Sequence, residues 1–548
     1  MKKTTCILVC SILSLSAYSQ KTLSTDYAYT VSEPYRVIDA DSKWYFSHGN
    51  GILTLKFDGK ETYIQTFDAN KPEFKTEKKY EKYFPKNYVL ESIKEINDKF
   101  YVFFSSWDGD NDKEQLFSQE VDFAKGEFIG SPKLMFQVDG KVSGSYSGRM
   151  MDFNVVDKFQ ILPSFDKKNF LVKYRRKPEV KNDKKSFDII GLYAYDGNLN
   201  KLSNKEITMP YTERRMDNLD YQIDNKGNLY MLSKIYHDDS NDDKKNRKDE
   251  EANYHVELFT VKTGSDNLNI TKIDNKDKFI SGLWIFDSPT GGLIAGGYYN
   301  NGKGKNFSKN CDGIMTFKMK EDGTISDQFY YEIPLELINQ YESEKTKKKN
   351  DKKEEKGEGA KVTDLKLKNL EVRKDGSVLL VGEQDFVIAH TSTMMSAGGG
   401  MSTRTYYTYH YNDIIVTKIK PDGKLAWMKK VPKQQVGSKG QGGMSYKFFN
   451  NASDDFLVFL DNVKNIDLPD DKQPALHSDG QGGYLTAVKM NDNTGDYKKG
   501  SILNAREVED FKLYQFSTDR VIKTSETTFV LEAYKKKKED VMIKVTLK

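Results

Sequence analysis

Few groups in this chain have the type and spacing to do chemistry. The six histidines are His48, His237, His255, His390, His410 and His477, and no two stand at HExxH or H-x-H spacing. No zinc site is therefore readable from the sequence. A Gly-x-Ser-x-Gly elbow, a phosphate loop and a G-x-G-x-x-G after a strand are all absent. Asp108-Gly-Asp110-Asn-Asp112, followed by Glu114, alternates oxygen donors in the manner of a Ca²⁺ loop, but Lys113 occupies the sixth position where an EF-hand uses Gly. Ca²⁺ at Asp108, Asp110 and Asp112 is the one cofactor expectation, against the plainer reading of a polar loop tip. Pro421-Asp-Gly-Lys-Leu-Ala-Trp427 approaches a sialidase turn, but its Asp and Gly are adjacent and the Ser-x-Asp-x-Gly-x-x-Trp spacing fails. Of three cysteines, Cys6 and Cys10 fall in a leader, leaving Cys311 with no internal disulfide partner.

Recognition chemistry is easier to find than catalysis. Thr391–Tyr411 carries Thr- and Tyr-rich arms that meet at Ser396-Ala-Gly-Gly-Gly-Met-Ser402. Such arms around a Gly-rich tip predict a protruding β-hairpin. Tyr406, Tyr407, Tyr409 and Tyr411 would line it, with His390 and His410 at its base. Tyrosines give large contact area at low entropy cost, so these six residues are the candidate binding set.

The elements that must position this segment are β-strands. A phrase of apolar residues, a polar residue, an Asp/Asn/Gly turn and a shorter apolar run recurs at 188–197, 312–323, 413–423 and 483–492. Hairpins repeating at this period predict an all-β fold, a β-propeller. The units map to about 32–75, 88–137, 150–212, 215–275, 280–334, 366–432, 442–506 and 507 onward. That makes eight four-stranded blades, with seven as the alternative. The last unit lacks a strand, and a spare strand at Leu23–Val31 is expected to complete it, hiding both sheet edges. Loops between strands 1–2 and 3–4, such as Asn225–Gly227, Asp375–Gly376, Asp58–Gly59 and Asp422–Gly423, read as tight turns. The long connections fall on the other face: Tyr174–Ser186, His237–Asn253, Asn300–Asn310, His390–Thr408 and Asn462–Gly482 between strands 2 and 3. Two blade linkers, Ala69–Lys86 and Tyr341–Val362, join them. Inserts near 237–253 and 341–362 are charged enough to be disordered.

Lys2-Lys3, an apolar run from Cys6 to Leu15 and Ala17-Tyr18-Ser19 form a signal peptide over 1–19, leaving 20–548 as a single domain. Val9 before Cys10 breaks a lipobox. Lys and Arg number 85 against 81 Asp and Glu, a net charge of +4, so no general basic field favours nucleic acid. No later segment reads as a transmembrane helix.

The Ser-Gln leader end and the phrase Tyr411-Asn-Asp-Ile-Ile-Val-Thr-Lys-Ile-Lys-Pro-Asp-Gly-Lys-Leu-Ala-Trp427 resemble secreted propeller-like repeat proteins common in Bacteroidetes-type bacteria. That resemblance implies export and a propeller; it transfers no catalytic residue. The functional expectation is a non-catalytic binding or scaffold propeller, in the periplasm or at the outer membrane, that recognises an envelope protein or glycan through its long-loop face. The alternative is a carbohydrate-active enzyme with carboxylates at the channel mouth.

Overall fold

The computed structural model describes residues 23–548, apart from 150–151, 179–182, 247–250, 266, 276, 290, 304–306, 321–322, 327, 396–400, 439–442, 480–481 and 510. The leader and the Gly-rich tip at 396–400 lie outside the described residues. The chain is all-β, built on four-stranded antiparallel sheets. In chain order, sheet I covers 42–81, II 89–139, III 160–212, IV 216–273, V 279–332, VI 365–431, VII 447–504 and VIII 521–547. Sheet VIII contributes three strands there, and Tyr27–Val31 is hydrogen-bonded to its outer strand, Tyr27 opposite Leu547 and Val31 opposite Ile543.

The burial pattern explains how the sheets assemble. Second strands are largely buried on both faces; Leu229–Tyr236, for example, is buried at every position. A strand covered on both sides needs a sheet against each face. Fourth strands are the wet ones, as in Phe74–Glu81. First strands of neighbouring sheets touch one another, IV with V and VIII with I among them, which puts them innermost. Apolar clusters fill each gap between consecutive sheets. Leu53 and Val102 lie between I and II, Phe103 and Phe170 between II and III, and Ile190 and Met231 between III and IV. Leu232 and Ile285 follow, then Ile294 and Leu380, Val416 and Leu457, and Val458 and Leu531. An eighth cluster of Ile52, Phe67, Val530 and Met542 joins VIII to I. Sheets stacked face to face in sequence around innermost first strands make a propeller.

Loop placement follows the expected alternation, with two corrections. Phe74–Glu81 is the fourth strand of sheet I, so Ala69–Lys86 is not a blade linker. Asp58-Gly59 consequently joins strands two and three, Gly51–Asp58 and Glu61–Asp68, and belongs to the long-loop face. The remaining short turns stand as read, with Gly376 at φ 81° and Gly423 at φ 86° in the left-handed region that favours glycine. The 341–362 insert also differs from the disorder expected of it. It carries a helix, Glu344–Glu355, whose first turn is capped by the Ser343 hydroxyl accepting from the Thr346 N–H at 3.2 Å. A shorter helix, Leu335–Asn339, precedes it. In the 237–253 insert, the described residues are tied by Asn253, whose N–H donates to Asp243 O and whose side chain donates to Asp238.

Candidate functional site

Strands two and three of sheet VI run far beyond the sheet. Val378–Met395 and Met401–Ile419 pair continuously except at one irregularity between Glu383 and Asp385, and the pairing continues to Met395 opposite Met401. At about 3.4 Å per residue, Asp385–Met395 extends on the order of 35 Å. This is the protruding hairpin read from the sequence.

The pleat divides the candidate binding residues between two faces, because successive side chains in a strand alternate. His390 sits opposite Tyr406, and His410 opposite Phe386, on one face. Tyr407, Tyr409 and Tyr411, opposite Ala389, Val387 and Asp385, lie on the other. The four tyrosines therefore do not form one stripe. On the histidine face the rings of Phe386 and His410 stack at 4.7 Å, those of His390 and Tyr406 at 4.8 Å. The Thr408 hydroxyl lies between the two imidazoles, 2.8 Å from His390 Nε2 and 2.9 Å from His410 Nε2. One hydroxyl can donate to one ring and accept from the other. Burial, then His390, hold His410 below its ordinary value. Both faces meet solvent: Val387 is 49% exposed, Ile388 39%, Tyr406 50% and Tyr407 52%.

The root of the ribbon is dry. Glu383 and Lys433 are fully buried there, Lys433 Nζ lying 2.8 Å from Glu383 Oε1. The same ammonium donates to Tyr411 O at 2.7 Å and to Gln435 Oε1 at 3.0 Å. Ser445 Oγ donates to Glu383 Oε2 at 2.6 Å. Burial lowers the Lys433 pKa against the opposing pull of Glu383. Gln435–Gly437 adds a short strand beside Tyr409–Tyr411, and Lys368 donates to Asp385 at 2.6 Å. A buried charge network of this kind is unforgiving of displacement, so it fixes the direction in which the ribbon leaves the body.

The other expected metal residues lie elsewhere. Asp108, Asp110 and Asp112 sit in the turn between strands two and three of sheet II. The Asp108 carboxylate accepts from the N–H groups of Asp110 and Asn111 and from the Asn111 side chain, closing its own turn. Sequence reading passed over two groupings made by residues far apart in the chain. His237 Nε2 lies 3.3 Å from His255 Nδ1, and His255 Nε2 lies 3.0 Å from Glu257. Among the described residues, His48, Glu95 and Asp98 bring their ligand atoms within 4.8 Å of one another. No spacing rule reports such sets, since strand pairing and sheet stacking create them.

Several inner-strand carboxyls are displaced upward by burial, Asp287 to about 7 and Glu371 among them. Burial pushes Glu91 up to about 7 and Asp220 up to about 6. Each accepts from a backbone N–H of the next sheet or its entry: Glu91 from Phe159 at 3.2 Å, Asp220 from Ile285 at 2.8 Å.

No family model and no curated protein matches the chain. Among solved structures, the Dos1 propeller aligns at 12% identity and TM-score 0.32, covering 60% of this chain and 62% of that one, under two thirds of its length. The β-propeller domain of the Trilobed protease from Pyrococcus furiosus aligns at 8% identity and TM-score 0.35, over 87% of this chain and 100% of that one. The WD40 domain of SCAP from fission yeast aligns at 8% identity and TM-score 0.36, over 95% and 97%. Scores this low carry no functional inference. Among the described residues, no helix is long and apolar enough to cross a membrane.

Proposed function

We propose that this chain is a closed eight-bladed propeller, exported to the bacterial envelope, that acts as a non-catalytic docking platform for a protein partner. The long-loop face is the docking face, and the ribbon of sheet VI is its principal contact. The observation that carries this reading is the exposure of consecutive apolar residues, Val387-Ile388 on one strand and Tyr406-Tyr407 on the other. A two-stranded ribbon wet on both faces is marginal by itself. A partner covering either face would bury aromatic and aliphatic area, and the fixed root lowers the ordering cost of doing so. Closure by Tyr27–Val31 supports the blade count, since it gives sheet VIII the same four strands as its neighbours.

The carbohydrate-active alternative requires free carboxyls on the inner strands. Glu91, Asp220 and Asp287 have the raised values a general acid needs, but each is committed to a backbone N–H across a sheet gap, and Glu371, raised too, has Arg373 beside it. That arrangement favours a tie between blades over an acid awaiting substrate.

The test is capture of envelope proteins by the purified chain, followed by direct titration of the purified captured protein. Replacing 386–410 with an Asn-Gly turn should abolish binding, and the double variant Tyr406→Ala, Tyr407→Ala should weaken it at least tenfold. Unchanged affinity in both would sink the ribbon as the contact. Retention of an oligosaccharide in place of a protein would redirect the reading to a glycan.

A further inference from the structure

We propose that His48, Glu95 and Asp98 form a divalent-cation site for Zn²⁺ or a similar borderline ion, on the tight-turn face near the innermost strands. His48 ends the first strand of sheet I, Ser42–His48. Glu95 lies near the end of the first strand of sheet II, Val89–Ile96, and Asp98 in the turn that follows. Their ligand atoms all lie within 4.8 Å of one another. His48 Nδ1 is 3.8 Å from Glu95 Oε1, beyond hydrogen-bond reach. Two ligands at about 2.0–2.2 Å from a tetrahedral Zn²⁺ stand about 3.3–3.6 Å apart. His48 and Glu95 would thus have to close by only a few tenths of an ångström to share an ion.

Both halves of the site are held before any ion arrives. The His48 ring lies edge-on to Phe100 and Phe123, with centroids 6.0 and 5.7 Å away. Gly51, just past the turn, is so close to Phe123 that a Cβ there would come within 2.8 Å of the ring. On the other side, the Asn97 N–H donates to Lys167 O at 2.9 Å, locking the turn of sheet II against that of sheet III. Asn97 and Asp98 adopt φ 49° and 59°, a turn in which the second position is most easily filled by glycine; here an acid stands instead.

The donor set selects the ion class. One imidazole and two carboxylates suit Zn²⁺ or Mn²⁺, whereas Ca²⁺ prefers oxygen ligands alone. Among the described residues, the cation paired with the set is Lys167, whose Nζ lies 2.6 Å from Glu95 Oε2. Lys167 would therefore compete with a metal for Glu95.

The experiment uses the full chain, stripped with EDTA and titrated calorimetrically with Zn²⁺, Mn²⁺ and Ca²⁺. One equivalent of Zn²⁺ should bind, more tightly than Mn²⁺, with Ca²⁺ weakest. His48→Ala and Asp98→Asn should each weaken Zn²⁺ at least tenfold, and Lys167→Met should tighten it severalfold. His237→Ala, in the other imidazole pair, should leave it unchanged. All of these side chains are partly or wholly exposed, so circular dichroism should show folded variants. Absence of a one-to-one isotherm, equal affinity in H48A and D98N, or weaker binding in K167M would overturn the site.

Discussion

The buried charges where sheet VIII meets sheet I make the sharpest residue-level test. Glu532 and Lys56 are both fully buried and paired, with Tyr35 donating to Glu532 at 2.7 Å and Tyr45 donating to its other oxygen. Burial opposes the charged carboxylate, but Lys56, Tyr45 and Arg520 outweigh it and hold Glu532 down to about 2. A depressed carboxyl stabilises the fold fully above its ordinary value, and that contribution is lost as pH falls toward 2. Lys56→Met leaves Glu532 buried without its cation and should cost about 3–5 kcal/mol, read from urea midpoints at pH 7. Asp540 has the opposite sign. Burial, then Glu532, push it up to about 6, so its contribution is favourable below about 4 and is lost as pH rises through 6. Asp540→Asn should accordingly raise the midpoint at pH 8 and change it little at pH 4; an equal gain at both would remove the electrostatic cause. Glu91, raised from 4.5 to about 7, makes the parent lose stability as pH rises through that window, so urea midpoints of Glu91→Gln should fall less across it. None of this was legible in the sequence. Tyr35 and Glu532 are 497 positions apart, and the chain has 81 acids from which to choose.

At the level of elements, the hairpins were readable because alternation and Asp-Gly turns are local signals. The limits were local too. Asp196-Gly197 resembles the other turns, yet the positive φ falls on Leu199 at 63°, because the Asp196 carboxylate gathers the N–H groups of Asn198 and Asn200. The Lys/Glu-rich insert read as disordered by composition. Its helix instead rests on the Ser343 cap, acid in the first turn and lysines in the last, and Asn350 Nδ2 donating to Asn339 at 2.8 Å. Ser343→Ala should therefore speed amide exchange over 344–355, by a local loss of about 1 kcal/mol, without shifting the global midpoint. The ribbon was legible as a hairpin, but its two-faced chemistry depends on register, which residue types alone do not give. None of its described residues from 386 to 410 belongs to the apolar clusters of sheets V, VI and VII. Its replacement by a tight turn should hence leave the thermal midpoint within a few degrees while removing partner binding.

On the scale of the whole molecule, stability is shared around a series of sheet gaps, each filled by one apolar cluster. Deleting residues 1–31 would strip Tyr27 from the cluster between sheets VII and VIII and leave Ile543–Leu547 of the outer strand unpaired, with Tyr35–Arg36 still beside Glu539 and Asp540. An uncovered edge strand recruits other chains. The truncated protein should unfold at lower urea and elute as aggregates in size exclusion; a stable monomer would show that the strand is dispensable. The pairing of Tyr27–Val31 with Val545 and its neighbours also fixes an order of events. The strand and its partner are separated in sequence by all seven other sheets. Those seven sheets can fold from contacts between nearby residues, while sheet VIII must wait for a contact of far longer range. Contacts of such long range form slowly. Refolding should therefore show a late phase that belongs to the meeting of Tyr27–Val31 with its partner strand, and a circular permutant opened in a tight turn of sheet IV, with Tyr27 linked to Leu547 through a short loop, should fold without it.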